Sequence, residues 1–175
     1  MRRRPGFWRR VDAASRYSFP AGFMLFGLFV IGMPFGLPGQ AEFRPVYAMA
    51  CVFFWTLYRP ASLPAPVVAA TGLLLDLLGL SPIGLWAVLL LLLQGAAAAA
   101  RRRLIAQSFV RTWMIFVGFA AGFSAMAWLG QSMLDLRLLP LGPLAAEWLA
   151  AFGLYPAFAG FFIRAHRGPA AVELA

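Results

Sequence analysis

Long apolar runs separated by short arginine-bearing segments set the strongest limit on how this chain folds. The sequence is 62% hydrophobic and 12% charged over 175 residues, whereas soluble domains average about 45–50% apolar and about 25% charged residues. No polar stretch between the runs is long enough to form a separate soluble domain. This pattern is typical of an all-α integral membrane protein with several spans.

We predict six transmembrane helices packed in one compact bundle. The predicted spans are 19–38, 44–58, 65–79, 82–100, 112–134 and 145–163. They form a single membrane domain, 18–163, between a basic segment, 1–17, and a tail, 164–175. The basic segment is expected to be either an interfacial helix on anionic lipid or a disordered tail that only fixes topology. Pro34 predicts a kink or an early end in the first span.

The arginines indicate how the helices are oriented. All fifteen basic residues are arginine, and the net charge is +9. Six spans place thirteen of them on one side of the membrane and two, Arg44 and Arg137, on the other. Because arginine-rich loops stay in the cytoplasm, both termini are predicted to be cytoplasmic. Because the arginines cluster at the ends of apolar runs, we interpret them as topology signals and not as a nucleic-acid-binding surface.

The second span is unusually short for a membrane helix. Its uncharged run lies between Arg44 and Arg59. We expect both arginines to extend it by reaching along the helix to the two membrane interfaces.

One acid, Asp76, interrupts the third span about one turn before its end. A charge at the centre of a membrane helix costs about 2.5–3.5 kcal/mol on insertion scales, and less near an end. Three interpretations are open. The carboxyl group is protonated or paired inside the bundle, or it lies at the outer interface against headgroups or a partner. In the third, it serves as a proton or cation relay.

Further positions are marked by their place in the predicted helices. The fourth span is expected to open at Ser81 and Pro82, an N-cap residue followed by a proline in the first helical turn. Gly118 and Gly122 are four residues apart in the fifth span, a spacing that permits close helix packing. Glu147 is predicted in the first turn of the sixth span, where an acid suits the helix dipole.

Motifs for catalysis and cofactor binding do not occur in the sequence. The one histidine, His166, lies close to the C-terminus, and the one cysteine, Cys51, lies inside an apolar run. No GxSxG, GxGxxG or Walker pattern is present, and no histidine and cysteine set suits a metal. We therefore predict a protein that is not an enzyme and needs no cofactor.

The segment from Phe54 to Leu85 resembles a known family. An aromatic stretch ends in Arg59-Pro60, and it is followed by Gly72-Leu73-Leu74-Leu75-Asp76 and then by Ser81-Pro82-Ile83-Gly84. This order and spacing resemble the best-marked region of MreD, the rod shape-determining membrane proteins of bacteria. The positions that the resemblance marks as structural or partner-binding are Arg59, Pro60, Gly72, Asp76, Ser81, Pro82 and Gly84.

The resemblance implies a membrane scaffold of the bacterial cell-elongation machinery. Such a protein lies in the inner membrane and helps position peptidoglycan synthases, which maintains rod shape. The implied partners are MreC, as the direct one, RodA with its elongation transpeptidase, the MreB filament and membrane lipids. The implied fold is similar to that of the substrate-binding subunits of energy-coupling-factor transporters.

Two other functions are weighed against the scaffold. A substrate-binding subunit of a vitamin-type transporter would have a polar cavity near the outer face that contains Asp76, Glu147 or Gln131. A filled core beneath Asp76 would favour the scaffold instead. A membrane enzyme would need clustered polar residues that the sequence does not display.

Overall fold

The described part of the chain is all-helical and contains no strand. A computed structural model describes residues 7–33, 36, 39–79 and 81–170. The elements are α1 (Phe7–Gly32), α2 (Gln40–Tyr58), a 3₁₀ turn (Pro60–Ser62), α3 (Ala65–Gly79), α4 (Leu85–Ile105), α5 (Phe109–Leu134) and α6 (Gly142–Ala170). The prediction of six helices in an all-α fold is confirmed at this level.

The helix bounds match the predicted span for α3 and differ from the predicted spans for the other five helices. α3 covers the predicted residues, 65–79. α1 begins at Phe7 and ends at Gly32, so residues 7–17 of the basic segment are helical and continuous with the first part of the predicted first span, and the helix ends before Pro34. α6 continues to Ala170, so most of the predicted tail is helical. The remainder of that tail and the first six residues lie outside the described residues.

α2 is the central helix of the fold. Every residue from Pro45 to Leu57 is buried, and α2 contacts each of the other five helices. A helix that is apolar on all sides is buried in a protein core or spans a membrane, and here its neighbours enclose it. α2 has 19 residues and begins at Gln40, four residues before the predicted start, so it is longer than the short span that was expected.

Aromatic and hydroxyl contacts tie α2 to its neighbours. The ring of Phe53 lies 5.3 Å from that of Phe116 in α5 and 6.0 Å from that of Tyr155 in α6. The Tyr47 hydroxyl donates a 2.8 Å hydrogen bond to the Phe23 carbonyl in α1. These contacts hold α2 against three helices. The N-terminal end of α2 lines the site described below.

Two helices, α4 and α5, are long and apolar enough to cross a membrane. This follows from length and composition over the described residues. The segment Pro20–Gly32 and α3 are apolar but shorter. Six membrane spans therefore stay a prediction.

Candidate functional site

Asp76 closes the junction between α3 and α4. Its side chain is 0% exposed. One carboxylate oxygen, Oδ2, accepts a 2.8 Å hydrogen bond from the Gly84 backbone N–H, and the other, Oδ1, accepts one of 3.0 Å from the Trp86 N–H. The first N–H groups of a helix have no partner within the helix, so α3 supplies the cap that α4 cannot supply for itself.

These contacts decide between the three interpretations of Asp76. The carboxyl group is paired inside the bundle, and its partners are backbone amides instead of a basic side chain. Complete burial rules out the interpretation in which Asp76 touches headgroups or a partner protein. Both oxygens are engaged in the cap, which leaves no free one for a relay in this conformation.

Two glycines make the same junction possible. A Cβ atom at Gly72 would lie 2.5 Å from the Ala87 nitrogen and 2.7 Å from the Trp86 carbonyl carbon, so α3 and α4 pack backbone to backbone there. Gly84 has a φ of +97°, a conformation that side-chain-bearing residues rarely adopt. Gly72 therefore permits the close approach of α3 and α4, and Gly84 permits the turn before α4. Together they bring the Gly84 and Trp86 amides to Asp76.

The predicted start of α4 is wrong by three residues. Ser81 and Pro82 were expected to open the helix, but Gly84 is the N-cap residue and α4 begins at Leu85. Ser81 and Pro82 instead form the turn before the helix. The Ser81 N–H donates to the Asp76 carbonyl, and the Pro82 carbonyl accepts from the Leu85 N–H. Because Asp76 caps α4 from outside, no serine N-cap is needed.

The remaining predicted positions lie away from this junction. Arg59 and Pro60 are exposed at the opposite end of α3, where the Arg59 carbonyl accepts a 3.0 Å hydrogen bond from the Ser62 N–H. Gly118 and Gly122 are exposed on α5, and a Cβ atom at either would have no described atom outside its own helix within 4 Å. They do not mediate packing inside this bundle, and their packing against a partner helix stays a prediction.

A cavity of about 310 Å³ lies beside the Asp76 junction. It is formed by the start of α2, the end of α3, the start of α4, the second half of α5 and the beginning of α6, and all of these meet at one end of the bundle. We call it the polar cavity, defined by the polar side chains that line it: Glu42, Arg44, Ser81, Ser124, Gln131 and Glu147. Of the residues expected in such a cavity, Glu147 and Gln131 line it and Asp76 does not.

Arg44 is held at the edge of the cavity by two helix ends. Its Nη1 donates a 2.8 Å hydrogen bond to the Leu78 carbonyl in the last turn of α3, and its Nη2 donates one of 3.3 Å to the Gly32 carbonyl at the end of α1. Carbonyls at helix C-termini carry partial negative charge. The Arg44 side chain therefore joins two helix ends, and its reach to a membrane interface stays a prediction.

The two carboxylates of the cavity have no such partners. No ion pair within 4 Å joins Glu42 or Glu147 to a basic side chain among the described residues. The two are close enough to interact unfavourably with each other. Glu147 was predicted in the first turn of its helix, but α6 starts at Gly142 and its first turn contains no acid, so the helix dipole does not account for Glu147.

Ser124 adds a buried polar atom to the cavity wall. Its side chain is 2% exposed, and its Oγ makes no hydrogen bond with acceptable geometry, although it lies close enough to the Glu147 carboxyl group to interact with it. A buried hydroxyl without a good partner costs about 1–3 kcal/mol. Sequence inspection missed Ser124 because a serine in an apolar run carries no recognisable signal.

Two indole rings complete the lining. Trp86 follows the Asp76 cap, and Trp128 is fixed by a 3.2 Å hydrogen bond from its Nε1 to the Leu139 carbonyl. Across the described ranges, no three side chains among His, Cys, Asp and Glu are grouped so that they could hold a metal ion. The cavity thus offers acids, hydrogen-bonding groups and aromatic faces, which together suit binding of an organic ligand.

No family model, curated protein or solved structure matches the chain.

Proposed function

We propose that the chain is a six-span membrane protein of the bacterial inner membrane with both termini in the cytoplasm. The support is the surface of the bundle. The five helices around α2 expose large apolar side chains, for example Phe29, Leu77, Leu92, Met126 and Leu149, whereas soluble monomers rarely expose extended apolar patches. Lipid would cover these faces. The polar cavity would then lie at the end that faces away from the cytoplasm.

Cysteine labelling tests this topology. The only cysteine, Cys51, is buried, so a Cys51→Ser background carries no reactive thiol. In that background Leu138→Cys, in the α5–α6 loop, should react with an impermeant maleimide on intact spheroplasts. Gln107→Cys, between α4 and α5, should react only after permeabilisation. The reverse pattern would show the opposite orientation in the membrane. Labelling of both cysteines before permeabilisation would exclude the proposed six-span topology.

As its function, we propose a non-enzymatic scaffold of the cell-elongation machinery that binds MreC and helps position the peptidoglycan synthases. The observation that carries this proposal is that the MreD-like positions Gly72, Asp76 and Gly84 form one junction, in which both Asp76 oxygens accept backbone hydrogen bonds. A carboxyl group engaged in this way fits a structural role in a scaffold better than a station on a transport path. The exposed apolar helix faces are then available to the membrane helices of partners.

An affinity purification in mild detergent tests the scaffold. MreC and the elongation synthases should co-purify with the wild type. Asp76→Ala is a poor probe of docking, because the residue is buried and structural. Gly118→Leu with Gly122→Leu is a better one, since both positions are exposed and would admit a leucine. This double variant should lose MreC if α5 is the docking face.

Gly95→Leu is the matched control for that purification. Gly95 is an exposed glycine on α4 with no described atom within 4 Å of an added Cβ. It should retain MreC at equal membrane abundance. Absence of MreC and of the synthases from the wild-type sample would overturn the scaffold function itself.

The polar cavity favours a second candidate, a substrate-binding membrane subunit of a small-molecule transporter. A cavity of about 310 Å³ with unpaired acids is within the usual size range of ligand sites, roughly 300–1,000 Å³. Such a subunit should co-purify with an ATPase pair and its coupling subunit. Recovery of those proteins in place of MreC would establish this candidate and exclude the scaffold.

A further inference from the structure

The polar cavity carries a charge pattern that selects among ligands. Three charged side chains line it, Glu42, Arg44 and Glu147. Both terminal nitrogens of Arg44 donate to helix C-terminal carbonyls, and its Nε is buried without a hydrogen-bond partner. The two carboxyl groups have no basic partner within 4 Å among the described residues. With two acids and one guanidinium in its lining, the cavity has an excess of one acidic group.

The arrangement suits an organic cation better than a metal ion. Hard divalent cations need six or more oxygen ligands, and the described cavity offers two carboxylates among indole, leucine and proline side chains. An ammonium group needs only a few acceptors and gains from aromatic faces nearby. Glu42 and Glu147 supply the acceptors, and Trp86 and Trp128 supply the faces.

The neutral polar groups define where the cation would lie. Ser124 is buried beside Glu147 and lacks a well-formed hydrogen bond, so its hydroxyl is available to accept from a donor in the cavity. The amide oxygen of Gln131, on the same helix, provides a further acceptor in the lining. A cation between the two acids would relieve their repulsion and satisfy the buried hydroxyl together.

We propose that the polar cavity binds a ligand through an organic ammonium group held between Glu42 and Glu147. This names the ligand class of the cavity, and it rests on the cavity being a binding site, not on transport, since a scaffold can also carry a ligand. Two sources offer this chemistry. One is a free amine, and the other is the ethanolamine headgroup of a phospholipid.

Thermal unfolding of the full chain in nanodiscs tests the proposal. The discs contain phosphatidylglycerol only, and the six tryptophans report unfolding. The probes are ethanolamine, choline, putrescine and thiamine, with acetate and succinate as anions at equal ionic strength. At least one amine should raise the Tm saturably, and the anions should not. A second set of discs with phosphatidylethanolamine tests the lipid source.

Three variants make the test specific. Glu147→Gln and Glu42→Gln should each weaken the effective amine about tenfold or more, as expected for the loss of a charge-assisted hydrogen bond. Asp135→Asn is the matched control, because Asp135 is an exposed acid in the α5–α6 loop that does not line the cavity. It should respond like the wild type. The ligand-free Tm of each variant shows whether it folds.

Each outcome has a fixed meaning. A rise with a free amine supports a soluble ligand, and a rise with phosphatidylethanolamine alone supports a headgroup, provided that the glutamine variants lose it. The proposal is overturned if neither source raises the Tm, if the anions act equally well, or if Glu147→Gln responds like Asp135→Asn. Amine binding without an associated ATPase pair would keep the proposal and exclude transport.

Discussion

The Asp76 junction and the polar cavity lie side by side, but their acids differ in burial and in hydrogen bonding. At the junction, both oxygens of one carboxylate accept backbone hydrogen bonds. In the cavity, the Glu42 and Glu147 carboxylates have no basic partner among the described residues, and the Ser124 hydroxyl is poorly satisfied. An unsatisfied buried polar group lowers stability. The junction therefore stabilises the fold, and the cavity has the features of a ligand-binding site.

The contrast also separates the two parts of the MreD-like motif. Its Gly72, Asp76 and Gly84 positions are explained by the geometry of the junction. Arg59 and Pro60 are exposed at the other end of α3. Packing inside the bundle does not explain these two exposed positions, and their contact with a partner stays a prediction.

The largest effect should come from Asp76→Ala. It leaves the Gly84 and Trp86 N–H groups without their acceptor, and hydrogen bonds to a charged group contribute about 1.5–3 kcal/mol each. We expect a loss of about 3 kcal/mol or more, seen as a large drop in Tm or in the folded fraction on size-exclusion chromatography. Asp76→Asn retains one acceptor, so its Tm should lie between those of the wild type and Asp76→Ala. A wild-type Tm for Asp76→Ala would remove the distinction between the two regions.

Gly72→Ala should be the next most damaging change. The added Cβ meets the backbone of Ala87 and Trp86, which cannot move aside as a flexible side chain could. Overpacking of this kind costs about 1–3 kcal/mol. Thermal unfolding in detergent measures it, and Gly95→Ala is the control because that position is open. Equal Tm values for the two alanine variants would show that the helices do not pack this closely.

Gly84→Ala should have a moderate effect. Its φ of +97° strains any residue that has a Cβ atom, at a cost of roughly 1–3 kcal/mol. Gly84→Asn should be milder than Gly84→Ala, because asparagine tolerates positive φ better. The order of the two Tm values is the measurement, and the opposite order would argue against a left-handed turn at this position.

Glu147→Gln tests whether an acid of the polar cavity contributes to the stability of the fold. It removes the repulsion between Glu147 and Glu42, so the free energy of unfolding without ligand should be unchanged or higher by about 0.5 kcal/mol. A partly buried acid whose loss does not destabilise would contrast with the fully buried Asp76. A destabilisation as large as that of Asp76→Ala would mean that Glu147 is part of the structural framework.

Gly118→Ala and Gly122→Ala should have the smallest effects. Neither added methyl group meets a described atom outside the helix within 4 Å, and alanine is the better helix former. The isolated chain should be unchanged or slightly more stable. Any loss should appear only in the presence of a partner, as reduced recovery of MreC. A lower Tm for the isolated chain would contradict the outward orientation of these glycines.

Local sequence patterns predicted the number of helices and their order. Periodic interruption of apolar runs by arginine, proline and glycine placed α3 on its observed residues and ended α2 at Tyr58, because these interruptions act locally. The same local reasoning placed the start of α4 at Ser81 and Pro82. It failed there because the cap of α4 comes from Asp76, eight and ten residues before the amides that it accepts from.

Only the tertiary structure decided which polar groups are partnered. Asp76 was recognisable as important, but three roles stayed open until the Gly84 and Trp86 amides were seen beside it. Arg44 was expected to reach along its own helix, and the structure adds contacts with carbonyls 12 and 34 residues away in the chain. The polar cavity draws on five helices. Partners so far apart in sequence are brought together by packing, and no local pattern records that.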